Sequence, residues 1–407
     1  MHSLKFPTIL SSSLRTCWHL SIDVLTFWHP QTLPLDSARL LTPDALTKLI
    51  TQHALNDRLK GASIIEITKL DIQSVSSNCN NIVFSVKWDE IGVDRDLPGS
   101  LFLKLPCKEF VTRLFCNFID VWRLECSFFR SFSDDCPVRL PKVYAVANKR
   151  SRFVLLQENL HADPSVQLFT NADMVKGAPL EVIKSTLATL ARFHAHYNAL
   201  PAKEREAKLP VRAHPFLSPV MSEVTKFINI KSLKPCREKA GEYFSEELEK
   251  LYLYAMQHWE ILLDWWYREP LTLIHGDSHL GNFFISGDEM GMLDFQAAQW
   301  GKGIRDVQYF LINSVSAETL AQHEKKLVQF YLDELERHDV NLSFKAGWEQ
   351  YRAYSFQTLM TISVAYGLSP LTEKDHVMEE MLKRAVAAIE RVNFQQWLEQ
   401  TVTRASQ

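Results

Sequence analysis

The sequence predicts an α+β protein with two lobes, a small N-terminal lobe built on a β-sheet and a larger, mostly helical C-terminal lobe. Three stretches within residues 63–106 and two more within 142–156 have the alternation or β-branched content of strands. After residue 180, apolar residues recur at the three- and four-residue steps of helices. A chain of 407 residues is long enough to build a core in each lobe.

The composition is that of an ordinary globular protein and argues against several kinds of partner. Hydrophobic residues make up 46% of the chain and charged residues 23%, which are typical proportions for a folded domain. A net charge of −3 gives no reason to expect nucleic acid or an acidic membrane as a partner. Seven cysteines without paired spacing indicate reduced thiols and a cytoplasmic location. No apolar run of about 18 residues predicts a transmembrane helix.

Residues 1–38 are predicted to be an N-terminal extension. They contain no acidic residue before Asp23 and are rich in serine and aliphatic residues, as some transit peptides are. Lys5 and Arg15 are their only lysine and arginine, which is few for a targeting segment. An ordinary extension or an upstream start codon is therefore favoured over a targeting role.

Residues 39–160 are predicted to form the N-terminal lobe. It opens with a helix, because Thr42 is a good cap and Pro43 suits the first helical position. Beyond that helix, the pattern predicts strands at Ser63–Ile72, Asn81–Trp88 and Ser100–Pro106, one helix at Glu109–Phe132, and strands at Lys142–Ala147 and Arg152–Leu156.

Two lysines on these strands are candidates for a functional position. Lys104 stands among apolar residues of the third strand, where an uncompensated buried ammonium group would be costly. Taken alone, it would more often be an edge-strand lysine that points to solvent. Lys87 on the second strand is the rival, and the strand pattern by itself does not decide between them.

Residues 271–296, LTLIHGDSHLGNFFISGDEMGMLDFQ, carry most of the functional information. Short apolar runs separated by polar turns predict a β-hairpin in this stretch. Three groups able to bind a metal or a proton, Asp277, Asn282 and Asp294, would lie at its ends. Phosphoryl transfer from Mg-ATP requires such groups: a carboxylate that accepts the proton of the attacking hydroxyl, and oxygen ligands for Mg²⁺.

The spacing of these residues matches a known kinase pattern. In His-Arg-Asp-x4-Asn followed by Asp-Phe-Gly, the base precedes the asparagine by five positions. Asp277 and Asn282 have that separation, and Asp294-Phe295-Gln296 stands where Asp-Phe-Gly would. Two other interpretations are a metal-binding triplet of a hydrolase, His275-x-Asp277-x-His279, and a plain polar turn. The triplet is disfavoured because the sequence has no further His/Asp cluster of matching strength, and the plain turn because Asn282 and Asp294 would then be coincidences.

The chain resembles the aminoglycoside-phosphotransferase and choline-kinase-like enzymes. The resemblance rests on HGDSHLGN at 275–282, LDFQ at 293–296 and GIRDVQYFL at 303–311. Within that group, these motifs look closest to the ecdysteroid-kinase-like branch and its bacterial relatives. The likeness extends from about residue 41 onward and implies a two-lobed protein-kinase-like fold. It also implies ATP and Mg²⁺ as cofactors.

The resemblance implies roles for Asp277 and Asn282 in the catalytic turn, residues 275–282, and for Asp294 and Lys104. Asp277 would be the catalytic base, and Asn282 and Asp294 would hold Mg²⁺. Lys104, held by Glu125, would bind the α- and β-phosphates of ATP, which favours Lys104 over Lys87.

The resemblance also implies supporting and adenine-binding positions. His275 would brace the turn, and Asp306, at the start of a helix, would support it through hydrogen bonds; a helix cap is the structural alternative for Asp306. Glu158 and Leu160 would mark the hinge where backbone groups bind adenine, although Glu158 could equally be a solvated linker residue.

The loop between the first two strands departs from the usual phosphate loop. Ser77 and Asn78 would cover the ATP phosphates, but residues 76–81 contain no glycine, the residue that close backbone approach to phosphate favours. A catalytically silent, kinase-like binding protein is therefore the alternative to an enzyme. Protein kinase activity is disfavoured, because Gln296 replaces the glycine and no Ala-Pro-Glu segment follows.

Residues 161–407 are predicted to form the catalytic and acceptor-binding lobe. Residues 199–240 look irregular and basic, and form either a solvated face or a wall of the acceptor pocket. A single long helix is predicted at Glu246–Arg268. The expected acceptor is a hydroxyl of a small molecule: a steroid-like or other lipophilic alcohol, a choline-like compound or an aminoglycoside. Neither nucleic acid nor a membrane is expected as a partner, and the sequence does not predict an oligomeric state.

Overall fold

The architecture was obtained as a computed structural model. The structure describes residues 5–26, 29, 33–35, 37–55, 57–70, 78–209, 222–368 and 375–407. The chain starts with three helices, the third of which has the predicted cap: the Thr42 side chain accepts a hydrogen bond from Ala45 N. These helices are α1 (Lys5–Leu25), α2 (Ser37–Leu40) and α3 (Pro43–His53).

An antiparallel sheet of five strands follows, as the alternation predicted. Its strands lie in the order β1-β2-β3-β5-β4, so the third strand in sequence is also the middle strand of the sheet. Lys104 is therefore on a central strand and not on an edge. The strands are β1 (Ile64–Leu70), β2 (Cys79–Trp88), β3 (Ser100–Pro106), β4 (Val143–Lys149) and β5 (Arg152–Glu158), with the short helix α4 (Glu90–Asp94) after β2.

The single helix predicted at 109–132 is wrong. The structure has two helices there, α5 (Phe110–Phe118) and α6 (Val121–Phe132). Between them Asp120 takes the left-handed conformation, with φ 57°, which breaks the helical backbone. Its carboxylate lies 2.8 Å from the Arg15 guanidinium of α1. The apolar repeat runs on through the break, so periodicity could not reveal a turn that a distant residue holds.

The remaining chain is mostly helical. Five short strands accompany the helices: β6 (Val166–Leu168), β7 (Thr272–Ile274), β8 (Phe283–Ser286), β9 (Glu289–Met292) and β10 (Gln299–Gly301). The helices are α7 (Asn171–Lys176), α8 (Leu180–His196), α9 (Ala202–Lys208), α10 (Ser222–Ala240), α11 (Glu246–Gln257), α12 (Trp259–Tyr267), α13 (Ile304–Ser314), α14 (Ala317–Glu336), α15 (Phe344–Leu368), α16 (Asp375–Arg391) and α17 (Phe394–Ala405).

Two predictions for this region are corrected. The segment expected to be irregular, 199–240, contains α9 and the 19-residue helix α10. Many buried positions of α10 are polar, including Thr225, Asn229 and Ser232, so the sequence shows no apolar stripe. The long helix predicted at 246–268 is two helices that meet at His258.

The hairpin predicted at 271–296 is also corrected. Strand β7 pairs with β10, whereas β8 pairs with β9 and β6. The turn at residues 275–282 thus connects two small sheets. Pairing between β7 and β10 brings together segments about 25 residues apart, which adjacent-strand reasoning does not reveal.

The buried apolar residues form two clusters. One lies between α3 and one face of the five-stranded sheet and includes Leu46, Phe84 and Leu156. The other starts at α6 on the opposite face and continues through the helical region. Helix α6 therefore connects the sheet with the helices that carry the catalytic turn. Among the described residues, no helix is both long and apolar enough to cross a bilayer.

Candidate active site

Asp306 of α13 holds the turn between β7 and β8 in place. Its carboxylate accepts hydrogen bonds from His275 N at 2.6 Å and Gly276 N at 3.1 Å. The Ser278 hydroxyl donates to Asp306 O at 2.8 Å. Because α13 begins at Ile304, Asp306 is the third residue of the helix rather than its opening residue. Its carboxylate therefore bonds the turn, not the end of its own helix.

Asp306 is fully buried, and its surroundings keep it ionised. Burial alone would raise the pKa of this carboxyl, but the hydrogen bond from His194 and the nearby Arg305 guanidinium hold it well below its usual range. His194 Nε2 lies 3.2 Å from the carboxylate, and its Nδ1 lies 2.9 Å from the Tyr331 hydroxyl.

Gly276 gives the turn its shape. Its φ is +82°, a conformation that side chains disfavour, and a Cβ built there would lie 1.9 Å from Ala297 O. The backbone after β7 therefore passes directly against the segment that leads into β10. No other residue type fits this position without moving one of the two segments.

His275 connects the turn to the segment that carries Asp294. Its Nε2 donates to Leu293 O at 2.9 Å, and its Nδ1 accepts from Asp277 N at 3.2 Å. Burial lowers the pKa of His275, which agrees with a neutral ring that donates at one nitrogen and accepts at the other. Both ring nitrogens are committed, so the interpretation of His275, Asp277 and His279 as a metal triplet is wrong. Among the described residues, no three His, Cys, Asp or Glu side chains come together as a metal site.

Asp277 and Asn282 lie side by side at the mouth of the turn. The Asn282 amide donates to Asp277 O at 2.8 Å and lies 3.4 Å from Asp277 Oδ2. Because the amide nitrogen is used in this way, the Asn282 side-chain oxygen remains to accept or coordinate another group. The Asp277 carboxylate is 42% exposed, so it can reach a bound molecule. Leu293 N donates to Asn282 O at 3.0 Å, which places Asp294 beside this pair.

Asp294 takes a left-handed backbone conformation, with φ 64°, that is uncommon for a residue with a side chain. The next residue, Phe295, is buried and stacks on Phe128 of α6 with ring centroids 3.6 Å apart. The stack anchors the segment on one side, while the Asp294 carboxylate stays 32% exposed on the other.

Lys104 lies beside this carboxylate and is buried. Its Nζ lies 2.7 Å from Glu125 Oε1 and 3.6 Å from Asp294 Oδ2. Burial would lower the pKa of Lys104, but the two carboxylates outweigh burial and raise it above its usual value. Burial raises the pKa of Glu125. The rival Lys87 is exposed and pairs with Glu66 on β1, so the structure brings Lys104 and not Lys87 to Asp294.

The other predicted residues lie around the sheet. Ser77 falls outside the described residues, and Asn78 is half-buried just before β2. Glu158 ends β5 and pairs with Arg139. Leu160 is buried in a one-turn 3₁₀ helix, Leu160–Ala162.

Sequence reasoning missed four residues next to the site. Gln296 Nε2 donates to the buried Cys79 sulfur at 3.3 Å, which joins the Asp294 segment to the start of β2. Burial raises the pKa of this thiol to about 12. Tyr309 is buried, and burial together with the nearby Asp277 carboxylate raises the pKa of its hydroxyl well above the usual value. The Arg305 guanidinium lies 4.8 Å from the centroid of the Tyr309 ring. The four-residue spacing of Arg305 and Tyr309 on one helix was the available signal.

Comparison with known proteins now assigns the family. The sequence profile of the ecdysteroid kinase-like family matches residues 131–344, which is just over half of the 407-residue chain. The chain belongs to the ecdysteroid kinase-like family. The predicted family, the two-lobed kinase-like fold and the predicted class of enzyme, a small-molecule kinase, are confirmed. No curated protein matches the chain in sequence.

Solved structures similar to this ecdysteroid kinase-like chain have low sequence identity. A microcompartment-associated aminopropanol kinase is 13% identical, with a TM-score of 0.49, over 88% of this chain and 98% of its own. A choline/ethanolamine kinase family protein from Mesorhizobium loti is 12% identical, with a TM-score of 0.49; the match covers 88% of this chain and 98% of that protein's chain. An ethanolamine kinase of Plasmodium vivax is 11% identical, with a TM-score of 0.47; the match covers 90% of this chain and 94% of that protein's chain.

Proposed function

We propose that this protein transfers the γ-phosphoryl group of Mg-ATP to a hydroxyl of a small molecule. The observation that carries the proposal is the buried Lys104–Glu125 pair, 2.7 Å apart, with Asp294 3.6 Å from the same lysine. These residues come from β3, α6 and the segment after β9. A buried ammonium group with two carboxylates is costly to assemble, and a nucleotide phosphate is the ligand that such a lysine serves in kinases.

Asp277 has the exposure and the neighbours of a general base. Its carboxylate would accept the proton of the attacking hydroxyl, while the Asn282 amide holds it in place and the buried Tyr309 lies near it. Asp306 and His275 fix the turn beneath it. Most of the rate gain would come from this positioning and from neutralised charge rather than from covalent chemistry.

The donors at Asn282 and Asp294 suit Mg²⁺, because an amide oxygen and a carboxylate are hard oxygen ligands. Two protein ligands are enough, since Mg²⁺ in such sites keeps waters and phosphate oxygens as its other ligands. When bound, the ion would neutralise charge on the transferred phosphoryl group. Lys104, held by Glu125, would contact the α- and β-phosphates.

The proposed binding roles of the two lobes follow their order in the chain. Residues 39–160, with Asn78 and Ser77 before β2, Glu158 at the end of β5 and Leu160 after it, are proposed to bind the nucleotide, and residues 161–407 to bind the acceptor. Family membership favours a steroid-like or other lipophilic alcohol as acceptor, and the similar solved structures include an aminopropanol kinase and a choline/ethanolamine kinase family protein. A cytoplasmic location is part of the same proposal.

The test is a screen of hydroxylated metabolites for a mass shift after incubation with Mg-ATP. The expected result is one phosphoryl group added to one class of acceptor, and no product with Asp277→Asn. The alternative, a silent binding protein, is motivated by the absence of glycine from residues 76–81. Slow Mg-dependent ATP hydrolysis without an acceptor would support the enzyme, and its absence together with an empty screen would support the silent protein.

A further inference from the structure

A cavity of about 260 Å³ lies between helix α1 and the N-terminal sheet. Its walls come from α1, the segment before α2, α5, and the start of β5. None of its lining residues belongs to the candidate active site. The volume approaches that of small-molecule sites in proteins, which start at about 300 Å³.

One wall of the cavity is apolar. It is formed by Leu20 and Val24 of α1 and by Leu35, which follows α1 in the chain. Val24 is 68% exposed, so the cavity opens to solvent beside it. Such a wall would hold a short apolar chain against α1.

The opposite wall is polar and already well ordered. Buried Asp23 accepts a hydrogen bond from Ser151 N at 3.0 Å and lies 3.0 Å from Arg150 Nε. The buried Arg152 guanidinium donates to Leu33 O at 2.7 Å and to Asp23 O at 2.9 Å. These bonds hold the N-terminal segment to the sheet, and they commit the Asp23 carboxylate.

Positive charge exceeds negative charge around this wall. A smaller adjoining cavity shares Ser151 and Arg152 with the first. Asp120 pairs with Arg15 at 2.8 Å and lies 3.8 Å from Arg123. Glu109 lies near Arg113, but its carboxylate caps the backbone N–H groups at the start of α5. The arginine cluster is defined as Arg15, Arg113, Arg123, Arg150 and Arg152, which face the carboxylates of Asp23, Asp120 and Glu109.

Neighbouring guanidinium groups, from the arginine cluster and from Arg39 outside it, repel Arg152. Burial lowers the pKa of Arg152, and repulsion from Arg113, Arg150 and Arg39 lowers it further, against the attraction of Asp23. An anion bound in the cavity would relieve that repulsion. The whole chain carries a net charge of −3, so this local excess of positive charge is not a general property of its surface.

Arg113 is the cluster member best placed to receive such an anion. It lines the cavity, and its Nε is buried without a hydrogen-bond partner among the residues that the structure describes. Its guanidinium lies 5.7 Å from the centroid of the Phe110 ring. A guanidinium group matches phosphate and carboxylate oxygens with two parallel hydrogen bonds.

We propose that this cavity binds a small amphipathic anion. Its phosphate or carboxylate head contacts Arg113 beside the Asp23–Arg152 wall, and its short apolar chain lies against Leu20, Val24 and Leu35. Since α1 supplies most of the apolar wall, binding also fastens the N-terminal helix to the sheet.

The probe is octyl phosphate below its micelle-forming concentration, titrated by calorimetry into the full-length protein. We expect binding that is at least tenfold tighter than that of inorganic phosphate, because the apolar wall contributes, and at least tenfold tighter than that of octanol. Equal binding of octanol, or no binding of octyl phosphate, would contradict the proposal.

Two variants locate the site. Arg113→Gln removes the guanidinium group, and Val24→Trp fills the cavity mouth from an exposed position that does not affect the core. Each is expected to weaken octyl phosphate at least tenfold, whereas Arg337→Gln, at a 69% exposed arginine on another face, is expected to leave it unchanged. Circular dichroism checks that each variant is folded.

The remaining control separates this cavity from the ATP site. Lys104→Met should leave octyl phosphate binding unchanged, and hydrogen exchange should slow in α1 and residues 149–152 rather than in residues 275–282. If Lys104→Met abolishes binding while Arg113→Gln and Val24→Trp retain it, the anion binds in the ATP site and the proposal is wrong.

Discussion

At the scale of single residues, the site depends on buried charged groups that compensate each other. Lys104 and Glu125 are both almost fully buried, and their charged atoms lie 2.7 Å apart. Removing one partner of such a pair leaves a buried charge without compensation, whereas removing both leaves only a gap in the packing. Stability and nucleotide binding should therefore respond differently to single and double substitutions.

The Lys104–Glu125 pair supports a first prediction. Lys104→Met is expected to lower the free energy of unfolding by about 3 kcal/mol, and adding Glu125→Leu is expected to restore part of that loss. Neither variant should bind Mg-ATP, because the lysine is absent from both. Urea unfolding and calorimetry measure the two effects. A double variant no more stable than Lys104→Met would show that the residues are not coupled.

Asp306 supports a prediction about pH. Its folded-state pKa lies below the usual value near 3.9, so its ionised form stabilises the fold above that pH, and the contribution is lost as pH falls towards the folded-state value. Asp306→Asn should therefore lower the free energy of unfolding by about 3 kcal/mol at pH 7. The difference from wild type should shrink below about pH 4. A constant difference from pH 7 to pH 3 would contradict the assigned role.

At the scale of elements, local sequence patterns predicted the strands and the helix cap. They did not predict the features that tertiary contacts determine. The five strands, the cap at Thr42 and the five-residue separation of Asp277 and Asn282 could be identified, because each is encoded within a few residues. The break at Asp120 could not, because Arg15 holds it from another helix. The pairing of β7 with β10 and the polar buried face of α10 likewise depend on what packs against them.

The catalytic turn supports a prediction at this scale. Gly276→Ala is expected to be at least about 2 kcal/mol more destabilising than Gly287→Ala, by urea unfolding. Both glycines have positive φ, but only at Gly276 would a Cβ meet backbone, 1.9 Å from Ala297 O; at Gly287 nothing lies within 4 Å. Backbone strain is common to both, so the difference isolates the close approach. Equal losses would mean that the turn is less tightly packed than the structure has it.

At the scale of the whole molecule, nucleotide binding should join the sheet to the helical region. Lys104 lies on the sheet, whereas Asp294 and Asn282 lie beyond β7, so a ligand that contacts all three stabilises both parts together. Helix α6 already connects them through the Phe128–Phe295 stack. The family and the kind of chemistry could be predicted from residues 271–311, but the acceptor could not, since the rest of residues 161–407 has no comparable motif.

Mg-ATP is therefore expected to stabilise the folded protein. At a hundredfold excess over its Kd, the gain in unfolding free energy is about 2.7 kcal/mol. The melting temperature should rise with Mg-ATP, and excess EDTA should remove most of the rise, because Asn282 and Asp294 are proposed to bind the nucleotide through the ion. A shift that EDTA leaves unchanged would argue against those two residues as magnesium ligands.

The most direct test of the proposed phosphotransfer compares wild type with Asp277→Asn, measuring Mg-ATP affinity by calorimetry and turnover on an acceptor found in the mass-shift screen. We expect the Kd for Mg-ATP to change less than about threefold and kcat to fall by a factor of about 10² to 10⁴, since only the base is lost. Wild-type turnover by Asp277→Asn would contradict the assignment of Asp277 as the catalytic base.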